Sequence, residues 1–132
     1  MIYKIEDTQK VMPILGNWQE SLIWSCLQKV MGSIYADDLE HPSSAMAFIA
    51  DFIFLAGAPI RELVSYIPGE CVNDFVIMVP QNDSWARLIE QCYGEKAKRV
   101  SRYAIKKEPD DFHKEHLRNA VKSLPQGYTL QM

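Results

Sequence analysis

Residues 45–57, AMAFIADFIFLAG, constrain the fold more than any other stretch. The run is apolar and partly aromatic on both sides of one acid, Asp51. It therefore holds two strands' worth of sheet-forming residues around a polar break, and a hairpin turning near Ala50 and Asp51 is expected. A single long strand is the alternative. The second half of the run stops at Gly57-Ala58-Pro59, and helical spacing then resumes in APIRELVSYI, with Pro59 near the first helical position and PGE as the end. A strand feeding a helix N-terminus is a general way to hold a phosphate, and it is equally an ordinary strand-to-helix connection.

The rest of the chain is organised around that unit. DTQKVMPIL begins a short helix at Asp7 that Pro13 ends or kinks. ESLIWSCLQKVM places Leu22, Ile23, Cys26, Leu27, Val30 and Met31 on one helical stripe, with Gly32 as a stop. SIYA is a short strand and DDLEHPSS a polar loop. FVIMV, residues 75–79, is apolar at every position, as expected of a strand buried on both faces in the middle of a sheet. In PQNDSWARLIEQCYG, Asn82 or Asp83 caps a helix whose face carries Trp85, Leu88, Ile89 and Cys92, and Gly94 closes it. RVSRYAIKK reads as a strand, DDFHKEHLRNAVKSL as a helix with acids in its first turn, and GYTLQM as a final strand. Helices flank strands throughout, which gives an α+β (or α/β) sandwich of one domain over residues 1–132.

Several function classes are set aside. With 132 residues, 48% of them apolar, the chain can bury a real core. Cys26, Cys71 and Cys92 lack metal-ligand spacing and are odd in number, which fits a reducing cytoplasm. No apolar stretch reaches membrane-spanning length and the N-terminus has no leader pattern, so a soluble, cytoplasmic protein is expected. Residues 94–132 carry nine bases against five acids, and the first 93 carry five against twelve. The basic residues alternate with acids and lack an aromatic ladder, so they read as a solvated rim, and no nucleic-acid partner is expected.

Among chemistry-bearing residues, His113 and His116 are three apart on a helix but have no third ligand in register, so no metal is expected. His41, beside Glu40 and Asp38, is a loop histidine open to solvent. Cys26 lies on an apolar stripe. Cys92 sits near a helix C-terminus, where the dipole raises a thiol pKa. Trp24, Phe48, Phe52 and Phe54 read as core.

The order of two helices, strand, hairpin, turn, helix, buried strand, helix and strand resembles the GNAT-type N-acetyltransferase fold, with its mixed, largely antiparallel sheet flanked by helices on both faces. More narrowly, WSCLQKVMGSIYADDLEHPSSAMAFIADFIFLAG and MVPQNDSWARLIEQCYGEKAKRVSRYAIKKE resemble the N-terminal half of a bacterial family of two-domain GNAT acetyltransferases that includes zwittermicin-resistance-type enzymes. The resemblance runs over nearly the whole chain. It implies acyl transfer from acetyl-CoA to an amine, with the acetyl-CoA loop and most catalytic machinery in a second, downstream GNAT domain.

Residue by residue, the family's diphosphate loop falls on Leu55 to Arg61. Gly57, Ala58, Ile60 and Arg61 are the candidate cofactor contacts, although the stretch has one glycine and Pro59 supplies no N–H. Ala86 and Gly94 keep the separation found in the family's fourth helix. The thiolate-protonating tyrosine of that pattern falls on Glu90, with Tyr93 one turn away, so these two are the candidate catalytic acids. Two readings follow. In one, a coenzyme thioester enters between FIFLAG and FVIMV while an amine approaches from the Asp37–His41 loop. In the other, the chain is a degenerate, non-catalytic module that packs on a catalytic GNAT domain, or on a copy of itself as a homodimer.

Overall fold

A computed structural model describes residues 1–103, 112–129 and 131. These fall into two compact units, Met1–Lys98 and Arg99–Met132. The first holds a five-stranded sheet in the order β1 (Tyr3–Lys4), β2 (Ser33–Ala36), β3 (Ser44–Ile49), β4 (Phe52–Gly57) and β5 (Ile77–Pro80). All neighbours are antiparallel except β4 and β5, which run parallel from Phe52↔Ile77 to Leu55↔Pro80. The expected hairpin is present, with Ile49 opposite Phe52 and Ala50 at φ 51° in the turn.

The period-two alternation of the strands sorts the core into two layers. Ile34, Ala45, Ala47, Ile49, Phe54 and Ala56 face α1 (Met12–Leu15) and α2 (Ser21–Leu27). Tyr35, Met46, Phe48, Ile53 and Leu55 face α3 (Arg61–Ser65) and α4 (Asp83–Tyr93). Helices thus cover both faces of a mixed, mostly antiparallel sheet, as the sequence led us to expect. Asn82 is the cap of α4, its side-chain oxygen accepting from the Trp85 N–H at 3.2 Å, and Gly94 closes the helix.

Several elements differ from expectation. Pro13 does not end a helix. It sits in the first turn of α1, after a 3-10 turn over Thr8–Val11 capped by Asp7, because a first-turn N–H has no partner within its helix and proline's missing donor costs no helix bond there. Helix α2 stops at Leu27, and Val30 and Met31 are exposed beyond it, since Lys29 takes a left-handed conformation (φ 57°) that ends the helical path before Gly32. Pro59 lies outside α3, whose cap is Ile60. The FVIMV strand is shifted and is not central. Phe75 is exposed, the strand starts at Ile77, and among the described residues β4 is its one strand neighbour. The apolar run reflects helices on its faces rather than strands on both sides.

The second unit contains α5 (Lys114–Lys122), as expected. Residues 99–103 and 127–129 form no strand, and the remaining positions of the two strands expected there, 104–107, Leu130 and Met132, lie outside the described residues.

Candidate functional site

The Gly57 turn is built where three segments converge. Gly57 closes β4 at φ +84°, and a Cβ there would stand 2.2 Å from the Ser43 carbonyl oxygen, so glycine is required by both backbone angle and space. Its N–H donates to Gln81 Oε1 at 3.1 Å. The Ala58 N–H donates to the Ser43 carbonyl at 2.9 Å. The Gly57 carbonyl accepts the Trp85 indole N–H at 2.9 Å, and the Ala58 carbonyl accepts the hydroxyl of the buried Ser44. Both small residues therefore have their N–H and carbonyl groups committed to protein partners.

The neighbours are themselves fixed. Asp37 accepts from the Ser43 N–H (2.9 Å), Ser43 hydroxyl (2.5 Å) and Ser44 N–H (3.0 Å). Burial alone would raise the Asp37 carboxyl, but these serine bonds together hold it below its ordinary value. Asp38 is likewise lowered, by the backbone N–H groups of His41 and Glu40. So the Asp37–His41 loop, expected to receive an acceptor, does lie beside the Gly57 turn, and His41 is exposed there. On the other side, the Gln81 N–H continues the β4–β5 pairing by donating to Leu55 O at 3.0 Å, and its side-chain amide reaches Ile14 O at 3.5 Å.

A diphosphate cradle needs consecutive N–H groups aimed outward. Here the first two point into protein and Pro59 has none. Ile60 caps α3 in an extended conformation, and Arg61 is exposed, its guanidinium 3.8 Å from Cys92 Sγ. The N-terminal amine of Met1 pairs with Glu62.

Glu90 and Tyr93 lie toward the other end of α4. From Trp85, which meets the turn, to Tyr93 is about 12 Å along the helix axis. Tyr93 donates to the Val64 carbonyl at 2.8 Å and so ties α4 to α3. Its hydroxyl pKa is raised, first by burial and then by Cys92. Glu90 is exposed. The structure thus keeps Gly57 and Ala58 at the Trp85 end of α4 and Tyr93 at the other, while the Arg61 side chain leaves the turn and reaches Cys92, the neighbour of Tyr93. His113 caps α5 and His116 lies within it, and among the described residues no group of three or more His, Cys, Asp or Glu could hold a metal. Nor is any described helix long and apolar enough to cross a membrane. Cys26 is buried, and burial pushes its thiol up to about 11.

Sequence reasoning missed Gln81, Ser43, Ser44 and the indole of Trp85. It also missed Glu70, which accepts from Tyr35 (2.6 Å), Lys4 (3.0 Å) and Ser33 (3.4 Å). Those bonds, the Tyr35 hydroxyl foremost and then Lys4, lower its carboxyl to about 2. Burial is the largest cause raising Tyr35 above its ordinary value, followed by its bond to Glu70. Only the Pro-Gly preceding Glu70 marked that region, and a turn signal names no long-range partner.

A family model described as GNAT acetyltransferase matches residues 12–132. Among solved structures, the chain is similar to a GCN5-related N-acetyltransferase-like protein from Streptococcus suis. The two are 40% identical with a TM-score of 0.73, over 92% of this chain and 48% of that one. The chain therefore spans about half the length of that protein. No curated protein matches.

Proposed function

The chain belongs to the GNAT acetyltransferase family, and from that premise we propose that it is a degenerate, non-catalytic half. Its role is to pack on a catalytic GNAT domain that binds acetyl-CoA and transfers the acetyl group to an amine. Kinship with the two-domain, zwittermicin-resistance-type branch is part of this proposal. The observation that carries it is the closure of the turn after β4, where Gln81 and Ser43 take the N–H groups of Gly57 and Ala58. The residues present fit a diphosphate poorly, and β4 and β5 stay paired up to that turn. The proton of Tyr93 is likewise engaged by a main-chain carbonyl.

Helix α5 supports the packing role. Leu117 and Val121 in the helix, with Leu124 just beyond its end, are all exposed, a stripe suited to another apolar surface. A second reading, coenzyme binding by this chain, is favoured by one observation, the exposed Arg61 four residues after Gly57, whose guanidinium rests near Cys92 and would have to swing back to the turn to meet a phosphate.

Isothermal titration with acetyl-CoA and with desulfo-CoA separates the two. The degenerate half gives no saturable heat and no thermal stabilisation. Saturable binding weakened by Arg61→Ala would establish the second reading instead. Sedimentation tests the packing: a chain deprived of its partner self-associates through α5, and Leu117→Lys with Val121→Lys returns it to a monomer.

A further inference from the structure

A second concavity lies away from the Gly57 turn. It has a volume of about 400 Å³ and opens where the N-terminal end of β5, the C-terminal end of α4 and the loop after α3 meet. Met78 in its lining pairs with Ile53, four residues before Gly57, which puts the pocket roughly 13 Å along the strand from the turn. The volume is in the range of small-molecule sites.

Its lining is chemically divided. Ile67, Val76, Met78 and Ile89 supply an apolar wall, with Ile67 48% exposed and so open to solvent. Lys96 and Lys98 line the same pocket and are exposed, and their long apolar stems let the ammonium groups reach its mouth. Neither is ion-paired with a described residue. Asp74 is the one acid in the lining, leaving a net positive mouth.

The wall is also held in place, although residues 67–76 form no helix or strand. Glu70 is bonded to Tyr35, Lys4 and Ser33 on β1 and β2. Asn73 donates to Asp51 in the hairpin turn, and the Cys71 N–H donates to Pro68 O at 3.0 Å. A pocket whose irregular wall is tied down at both ends does not pay its ordering entropy again when it is filled.

We propose that this pocket binds a small molecule with an apolar body and a singly charged anionic head, the chemistry of a fatty or aryl carboxylate. The body lies against Ile67, Val76, Met78 and Ile89, and the head meets Lys96 and Lys98. The site is independent of whether the Gly57 turn holds a coenzyme.

The test is calorimetric titration with dodecanoate below its micellar concentration, beside dodecyltrimethylammonium, which has the same body and a cationic head. Saturable one-to-one binding of dodecanoate alone is expected. A Lys96→Gln, Lys98→Gln double variant weakens it roughly tenfold, the scale of two exposed charge contacts. Ile67→Asp, at an exposed wall position, removes saturation while thermal melting stays cooperative. Equal or stronger binding of the cation, dodecanoate affinity unchanged in the lysine variant, or no saturation up to millimolar dodecanoate would each overturn the proposal.

Discussion

The two ends of α4 face the same pair of strands and are finished in opposite ways. At the N-terminal end, Trp85, Gln81, Ser43 and Ser44 consume the polar groups of the Gly57–Ala58 turn. At the C-terminal end, apolar side chains and two lysines without a described ion pair surround an open pocket. The difference shows that one strand end of the same sheet can be sealed by protein hydrogen bonds while the other stays open. At the sealed end the backbone groups of Gly57 and Ala58 bond to protein partners, and each such bond contributes on the order of 1 kcal/mol.

The closed end can be broken in steps. Trp85→Ala removes a fully buried indole and its bond to Gly57, and should cost about 3–5 kcal/mol in urea unfolding. Gly57→Ala forces a left-handed alanine against the Ser43 carbonyl, and should cost about 1–3 kcal/mol by the same measurement. At the open end, Tyr35→Phe should cost about 1 kcal/mol by loosening the Glu70 anchor of the pocket wall.

Glu70 adds a pH signature. Its carboxyl falls from an ordinary 4.5 to about 2 in the folded chain, so its stabilisation is present above 4.5 and is lost as pH falls through 2. The stability gap between the native chain and Glu70→Gln should therefore narrow across that window in acid titrations followed by circular dichroism. The smallest effect is expected of Gln81→Ala, about 0.5–1 kcal/mol, because its side chain lies in an exposed position. That variant also sharpens the contrast, since it returns the Gly57 N–H to solvent without touching the pocket.

The architecture was largely legible in the sequence because it rests on local signals. Asp51 broke one apolar run into two strands, Asn82 capped α4, and Gly94 closed it. FVIMV misled because an uninterrupted apolar strand records cover on its two faces and says nothing about how many strands flank it. The site was only half legible. The single glycine and Pro59 pointed to a deficient cradle, but the bonds that close it join Gly57 to Gln81 and Ala58 to Ser43 across the chain. No spacing rule encodes such pairs. Lys96 and Lys98 read as part of a solvated rim because the pocket behind them exists only once α4 and β5 are packed.

Closure of the turn is tested most directly by the backbone amides themselves. Amide resonances of Gly57 and Ala58 should show slow hydrogen exchange and keep their positions as acetyl-CoA is added to millimolar concentration. Fast exchange in the free chain, or shifts of both amides along a single saturable curve, would contradict the closed turn and return coenzyme binding to this domain.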